Sequence, residues 1–467
     1  MKRINFLAPA MVALVVLSYG ASFGSDLTQG LVSPQDAFAR NAKNGSCVAC
    51  KDRTLAPEKD LSPGTNKDGT FGLDPNIPGV GQVFCSTRAS EKKMIPDDLG
   101  TNDGFGVAIA ISGDYAIVGA PYHQHEGMTR SGSAYMFKKE GDEWVQQVEL
   151  LPPNGASYND DYGYSVSMSG DYAVIGAPLT GTYDGGAAYV FKRQGSEWLF
   201  QQQLYGVNIQ QWDRYGMSVS ISGNTIVVGS DSCNVHVYKQ NGESWDLEAV
   251  IVGDDGLGEF GHAVSIAGDD IVVGAPYEDD NGQNSGSAYV FKREGTSWTQ
   301  QAKLLPADGN IKDYFGSSVS IKGDYVLIGA SFDDDNGSDS GSAYIFKRDG
   351  TSWNQWQKLI APDGQLNHKF GESVSMGETY AAIGAPYWHH NSAHGAAYIY
   401  KLKGTSWGHK VTLTSTETQY KPCFGQAVSI LGSDLAVGAS IAYFNTAGAG
   451  AAYHYKICNG PEYLSKD

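Results

Sequence analysis

Between Phe260 and Leu304, apolar and polar residues follow each other in four short runs. In FGHAVSIAGDD, Val264 and Ile266 fall on one side of a period-two pattern and Ser265 on the other, which predicts a strand. The tight AGDD turn leads into IVVGAP, a second strand stopped by Pro276. GSAYVFKR predicts a third strand. Its Tyr289-Val290-Phe291 run is apolar on both faces, as in a strand sandwiched between neighbouring sheets. After the REGTSW turn comes WTQQAKLL, a fourth strand that is more polar and therefore more peripheral. Four antiparallel strands in a meander make one propeller blade.

The pattern recurs seven times. Each copy opens on an aromatic–Gly pair: Phe105-Gly106, Tyr162-Gly163, Tyr215-Gly216, Phe260-Gly261, Phe315-Gly316, Phe370-Gly371 and Phe424-Gly425. Thirteen residues after each glycine stands another; four of these begin GAP, two GAS and one GSD. From the residue opening strand three to the Trp opening strand four is twelve residues, as from Gly286 to Trp298, and Cys233 to Trp245 keeps that spacing. The hairpins joining strands one–two and three–four are thus constant in length. The two–three and four–one connections vary and lie together on the opposite face, where binding usually resides. The expected fold is all-β, a seven-bladed propeller over residues 83–458, because a repeat of about 50 residues buries its faces by stacking on its neighbours.

The seventh copy has no Trp and no fourth strand. Glu91 to Gly106 aligns without a gap on Gln301 to Gly316, so the segment from Val83 to Ile95 is expected to complete the last blade. The same register sets Cys85 opposite the turn after Cys458, which predicts a disulfide clasping the ring. Closure removes the open edges through which sheets aggregate.

Composition limits the partners. The net charge of −18 argues against nucleic acid, whose phosphates need basic patches. Lys2, Arg3 and the apolar run from Phe6 to Val16 read as a secretory signal over residues 1–22, giving a secreted, cell-surface or periplasmic chain with no membrane span after cleavage. Residues 23–82 read as a Pro/Gly-rich leader, and 459–467 as a tail. The six cysteines suit an oxidising compartment, with Cys47 and Cys50 a local CxxC pair. Asn44 and Asn336 stand in glycosylation sequons, meaningful in a eukaryotic host.

FGHAVSIAGDDIVVGAP and its six counterparts resemble the FG-GAP repeat of the seven-bladed integrin alpha propeller and of exported microbial proteins. The resemblance implies an extracellular propeller used in adhesion or ligand binding. Integrin repeats often carry a calcium loop between strand one and GAP. Here those positions hold short turns such as Ser112-Gly113-Asp114 and Lys322-Gly323-Asp324, with too few oxygens for Ca²⁺. This chain looks closer to the short-turn microbial variant.

Candidate chemistry lies on the variable face. Glu278, Asp279, Asp280 and Asn281 occupy one two–three loop, and Asp333, Asp334, Asp335 and Asn336 the next; Asp333, Asp335 and Asp339 alternate as calcium ligands do. Against that reading stand solvated turn formers, among them Asp160-Asp161, Asp254-Asp255, Asp308 and Asp313 of the four–one loops. His123 and His125, and in the sixth repeat His389, His390 and His394, suggest transition-metal ligands, with polar surface as the alternative. The third repeat's short loop leaves a notch beside Trp212, Asp213 and Arg214, suited to a glycan or peptide. The aromatic–Gly pairs and GAP read as structural. No nucleophile motif, phosphate loop or HExxH occurs. The favoured reading is a non-enzymatic, monomeric adhesion or recognition module for a protein or glycan. An extracellular polysaccharide-active enzyme and a structural envelope component are the alternatives.

Overall fold

The computed structural model describes residues 91–457 apart from 126, 156, 182–183, 254–257, 388–394, 416–422 and 441–448. The described strands form seven four-stranded antiparallel sheets. The fourth blade, Ala263–Ala267, Asp270–Ala275, Ser287–Glu294 and Ser297–Leu304, follows the strand boundaries read from its sequence. The first strand of each blade touches that of the next, and Ile109–Ser112 of the first blade touches Cys423–Leu431 of the seventh. The inner strands therefore form a closed ring.

The core lies between blades, because strands two and three are apolar on both faces and need cover on both. Each of seven buried clusters draws side chains from two adjacent blades. Phe315 is typical: fully buried, it meets Tyr344 edge-on at 5.4 Å and packs with Val272 and Val290 of the preceding blade. The two conserved-spacing glycines are where blades approach most closely. A Cβ on Gly119 would lie 1.9 Å from the carbonyl oxygen of Gly163 in the next blade, and one on Gly438 would lie 2.0 Å from that of Gly106. At Gly119 and Gly438 glycine is required by contact with backbone alone, whereas Gly106 and Gly163 also hold positive φ angles of 93° and 91°.

The polar side of the inner strands is also used. Ser265 Oγ accepts the backbone N–H of Ile321 at 3.2 Å, Ser220 Oγ that of Ile266 at 3.1 Å, and Ser429 Oγ that of Ile111 at 3.2 Å. These serines stitch one blade's inner strand to the next, each bond worth about 1 kcal/mol net.

Lys92–Met94 supplies the fourth strand of the seventh blade. Lys93 pairs with Tyr453 and Met94 with Ala452, the register in which Lys303 pairs with Tyr289 and Leu304 with Ala288. Met94 is wholly buried, which contributes roughly 1.5–3 kcal/mol to closure. Residues 83–90, Cys47, Cys50, Cys85 and Cys458 lie outside the described residues, and with them the expected clasp. Cys233 and Cys423 are buried, and Cys233 forms no disulfide among the described residues. Among the described residues no helix is long and apolar enough to cross a membrane.

Candidate binding face

The constant hairpins and the variable loops emerge on opposite faces, and their surfaces differ. On the hairpin face, turns such as Gly113-Asp114 and Gly268-Asp269 are polar; Leu431 is exposed there, and Val145, Leu199 and Leu247 are exposed on the outer strands near the same end. The variable face exposes Tyr158, Tyr205, Val207, Trp212, Ile311 and Leu366 from four four–one loops. Trp212 is 58% exposed and Tyr158 61%. Apolar groups gathered on one face mark interaction surfaces.

The acidic loops are organised by lysines of the fourth strands. In the fifth blade, Lys358 Nζ binds Asp308 at 2.8 Å, Asp333 at 2.9 Å and Asp335 at 2.5 Å. Asp333 is buried and also accepts from the hydroxyls of Ser342 and Tyr344. Burial works against the Lys358 charge, but the bonds to Asp308, Asp335 and Asp333 outweigh it and hold the ammonium well above its ordinary pKa. In the fourth blade Lys303 reaches Glu278 and Asp280, both at 2.7 Å. Asp279 turns away to cap the N–H of Asn284, and Asp339 pairs with Lys369. The expected calcium set of Asp333, Asp335, Asp339, Asp279 and Asp280 is thus not brought together. An ammonium from the chain itself stands where the carboxylates converge in each loop. Asp313 is a loop cap, accepting the N–H of Asn310 at 2.7 Å, and burial raises its pKa to about 6.

The first blade inverts this arrangement. His123 occupies the position of Glu278 and Asp333: in all three loops a serine hydroxyl donates to this residue's carbonyl oxygen, and the N–H of the strand-three glycine does the same. His125 lies where Asp280 and Asp335 lie. Across the sheet from Tyr135 stands Glu149, where Lys303 and Lys358 stand across from Tyr289 and Tyr344. The donor atoms of His123, His125 and Glu149 lie within 4.8 Å of one another. His389, His390 and His394 lie outside the described residues.

At the notch, Trp212 and Arg214 adopt left-handed backbone conformations, with φ of 70° and 49°. Asp213 is buried and caps the N–H of Gln210. The half-exposed Arg214 pairs with Asp231 at 3.3 Å. The three predicted notch residues therefore split: Trp212 and Arg214 face solvent, and Asp213 holds the loop.

Sequence reasoning missed a collar around the inner ends of these loops. The residue before the aromatic–Gly pair and the residues around GAP meet from blade to blade. Tyr277 stacks edge-on with Tyr314 at 5.2 Å, Tyr314 meets Phe332 at 4.8 Å, and Lys369 sits over Phe332. Asp231, Glu259 and His262 form a second close cluster. Burial, then the Glu259 charge, raises Asp231 to about 6. Tyr164 of the second blade is raised first by burial, and it feels Glu372 of the sixth across the ring. The signal was available in the one variable position preceding each aromatic–Gly pair.

The FG-GAP repeat family matches residues 89–137, 144–191, 198–236, 245–291, 298–346 and 353–400, more than half the chain. The chain is a member of the FG-GAP repeat family. It is also 40% identical over 85 residues to integrin alpha pat-2 of Caenorhabditis elegans, a match covering 16% of this chain and 7% of that one. Membership and the seven blades agree with a binding propeller.

Proposed function

We propose that this chain is an exported propeller that binds a protein or glycan through its variable loop face, as an adhesion or recognition module without catalysis of its own. The uneven distribution of exposed apolar side chains carries the reading: aromatic and aliphatic groups crowd the loop face while the turns of the hairpin face are polar. FG-GAP membership and the likeness to an integrin alpha chain, both typical of extracellular proteins, support it. Trp212 is the anchor, large, exposed and held on a four–one loop capped by Asp213, beside the short two–three loop of the third blade. Arg214 supplies a charge beside it.

The test is saturable binding of the purified chain to an array of extracellular glycans and to immobilised matrix proteins. Replacement of a central aromatic anchor costs about 2 kcal/mol, so Trp212→Ala should weaken the captured ligand about 30-fold. Asp142→Ser, on the hairpin face, should leave it unchanged. Equal loss in both variants, or turnover of a glycan, would overturn the proposal.

A further inference from the structure

We propose that His123, His125 and Glu149 of the first blade bind one Zn²⁺ ion. Imidazole and carboxylate donors suit zinc, whereas Ca²⁺ takes oxygen ligands. His123 is buried, and its Nδ1 hydrogen-bonds the Asp103 carboxylate at 2.7 Å. With Nδ1–H donating to Asp103, the lone pair of Nε2 points to the cluster, where Glu149 Oε1 lies 3.9 Å away. A carboxylate behind a ligating histidine is the usual support of a zinc site. Asp103 is itself fixed by the N–H of Gly100 at 2.6 Å. Glu149 is oriented by the Ser133 hydroxyl at 2.6 Å.

The sister blades show what differs at this position. The equivalent tyrosines of the fourth and fifth blades donate to Glu278 and Asp333 at 2.6 and 2.8 Å. Tyr135 is fully buried, pairs across the sheet with Glu149 and meets the His123 ring edge-on; with an imidazole at the loop position its hydroxyl has no loop carboxylate there to bond and lies instead near Asp98 and Ser133. In those other blades a lysine ammonium fills the space between the loop and the fourth strand. Here the lysine position is a glutamate, so no side-chain cation of that kind comes from the fourth strand. Among the described residues, two imidazoles and one carboxylate gather there with no lysine of the fourth strand between them, unlike their sister loops. Tetrahedral zinc, with bonds of about 2.0–2.1 Å, needs donors about 3.4 Å apart, so side chains now within 4.8 Å draw in by about 1 Å. Three protein donors leave one position for water.

The test uses the full chain, stripped with a chelator and titrated with Zn²⁺ by calorimetry and with Co²⁺ by visible absorption. One equivalent of zinc is expected, with a four-coordinate Co²⁺ spectrum free of thiolate charge transfer. His125→Ala and Glu149→Gln should each weaken zinc at least about tenfold while melting normally in metal-free buffer. If either fails to fold, the triple variant His123→Glu, His125→Asp, Glu149→Lys installs the fourth blade's network; it should fold and take up no zinc at this site. No zinc uptake by the wild type would overturn the proposal. So would uptake unchanged in these variants, which would place the ion on other donors such as Cys47 and Cys50.

Discussion

Lys358→Met tests whether the internal ammonium holds the loop face together. The wild-type side chain is 16% exposed and Asp333 only 3%, so the pair is buried. Removing one partner of a buried pair costs about 3–5 kcal/mol, because a charge is left behind. Asp333 keeps its bonds from Ser342 and Tyr344, which places the loss at the low end, about 3 kcal/mol. Asp308 and Asp335 are about half exposed and rehydrate, adding little. The assay is urea unfolding at pH 7 followed by tryptophan fluorescence. Adding Asp333→Asn should recover more than half the loss, since both charges are then gone. The pH dependence has a fixed sign. Burial raises Asp308, but Lys358 outweighs it and the net pKa is lowered. Its contribution is present above the unfolded value and lost as pH falls through the folded one, so the gap between wild type and variant should narrow below about pH 4. A single-variant loss under about 1 kcal/mol, or a double variant as unstable as the single, would refute the reasoning.

Gly119→Ala sets a Cβ 1.9 Å from a backbone oxygen of the next blade and should abolish soluble expression or lower stability by more than about 4 kcal/mol, whereas Gly113→Ala, with nothing within 4 Å, should cost about 1 kcal/mol, both read by thermal melting. His236 is buried and its Nε2 accepts the N–H of Val207 at 2.9 Å; burial lowers its pKa to about 4. The unfolded chain then binds the extra proton between about pH 6.5 and 4, so stability should fall by about 3 kcal/mol as pH drops through that window. His236→Gln should flatten the slope, and an imidazole resonance titrating near 6.5 in the folded chain would contradict it.

The blades were legible because each strand carries its own period and each turn its own glycine. Even the register of Lys92–Met94 followed from aligning Glu91–Gly106 on Gln301–Gly316. The site was legible only as a face. Acidic runs drew the eye to Asp333 and Asp335, but their cation came from Lys358, 23 positions on from Asp335 and across a hairpin. Aligning the fourth strands by blade would have shown Lys303, Lys358 and Glu149 at one position, and with them the inversion at His123. A period of two sets the serines of the inner strands, such as Ser265, on the second face without saying that a neighbouring blade covers it. The Tyr277–Tyr314–Phe332 collar joins adjacent blades, a contact that no single-repeat pattern encodes.

The shared seventh blade imposes an order on synthesis. Tyr455 donates to Glu91 across 364 positions, so the earliest strand of the ring waits for nearly the last. At about 5–20 residues per second, that wait is on the order of tens of seconds. Until then the growing stack has an open edge at either end, each a template for a stray strand. Closure thus depends on the last strand made: a chain cut short before Ala451–Lys456 offers Lys92–Met94 no partner and cannot seal.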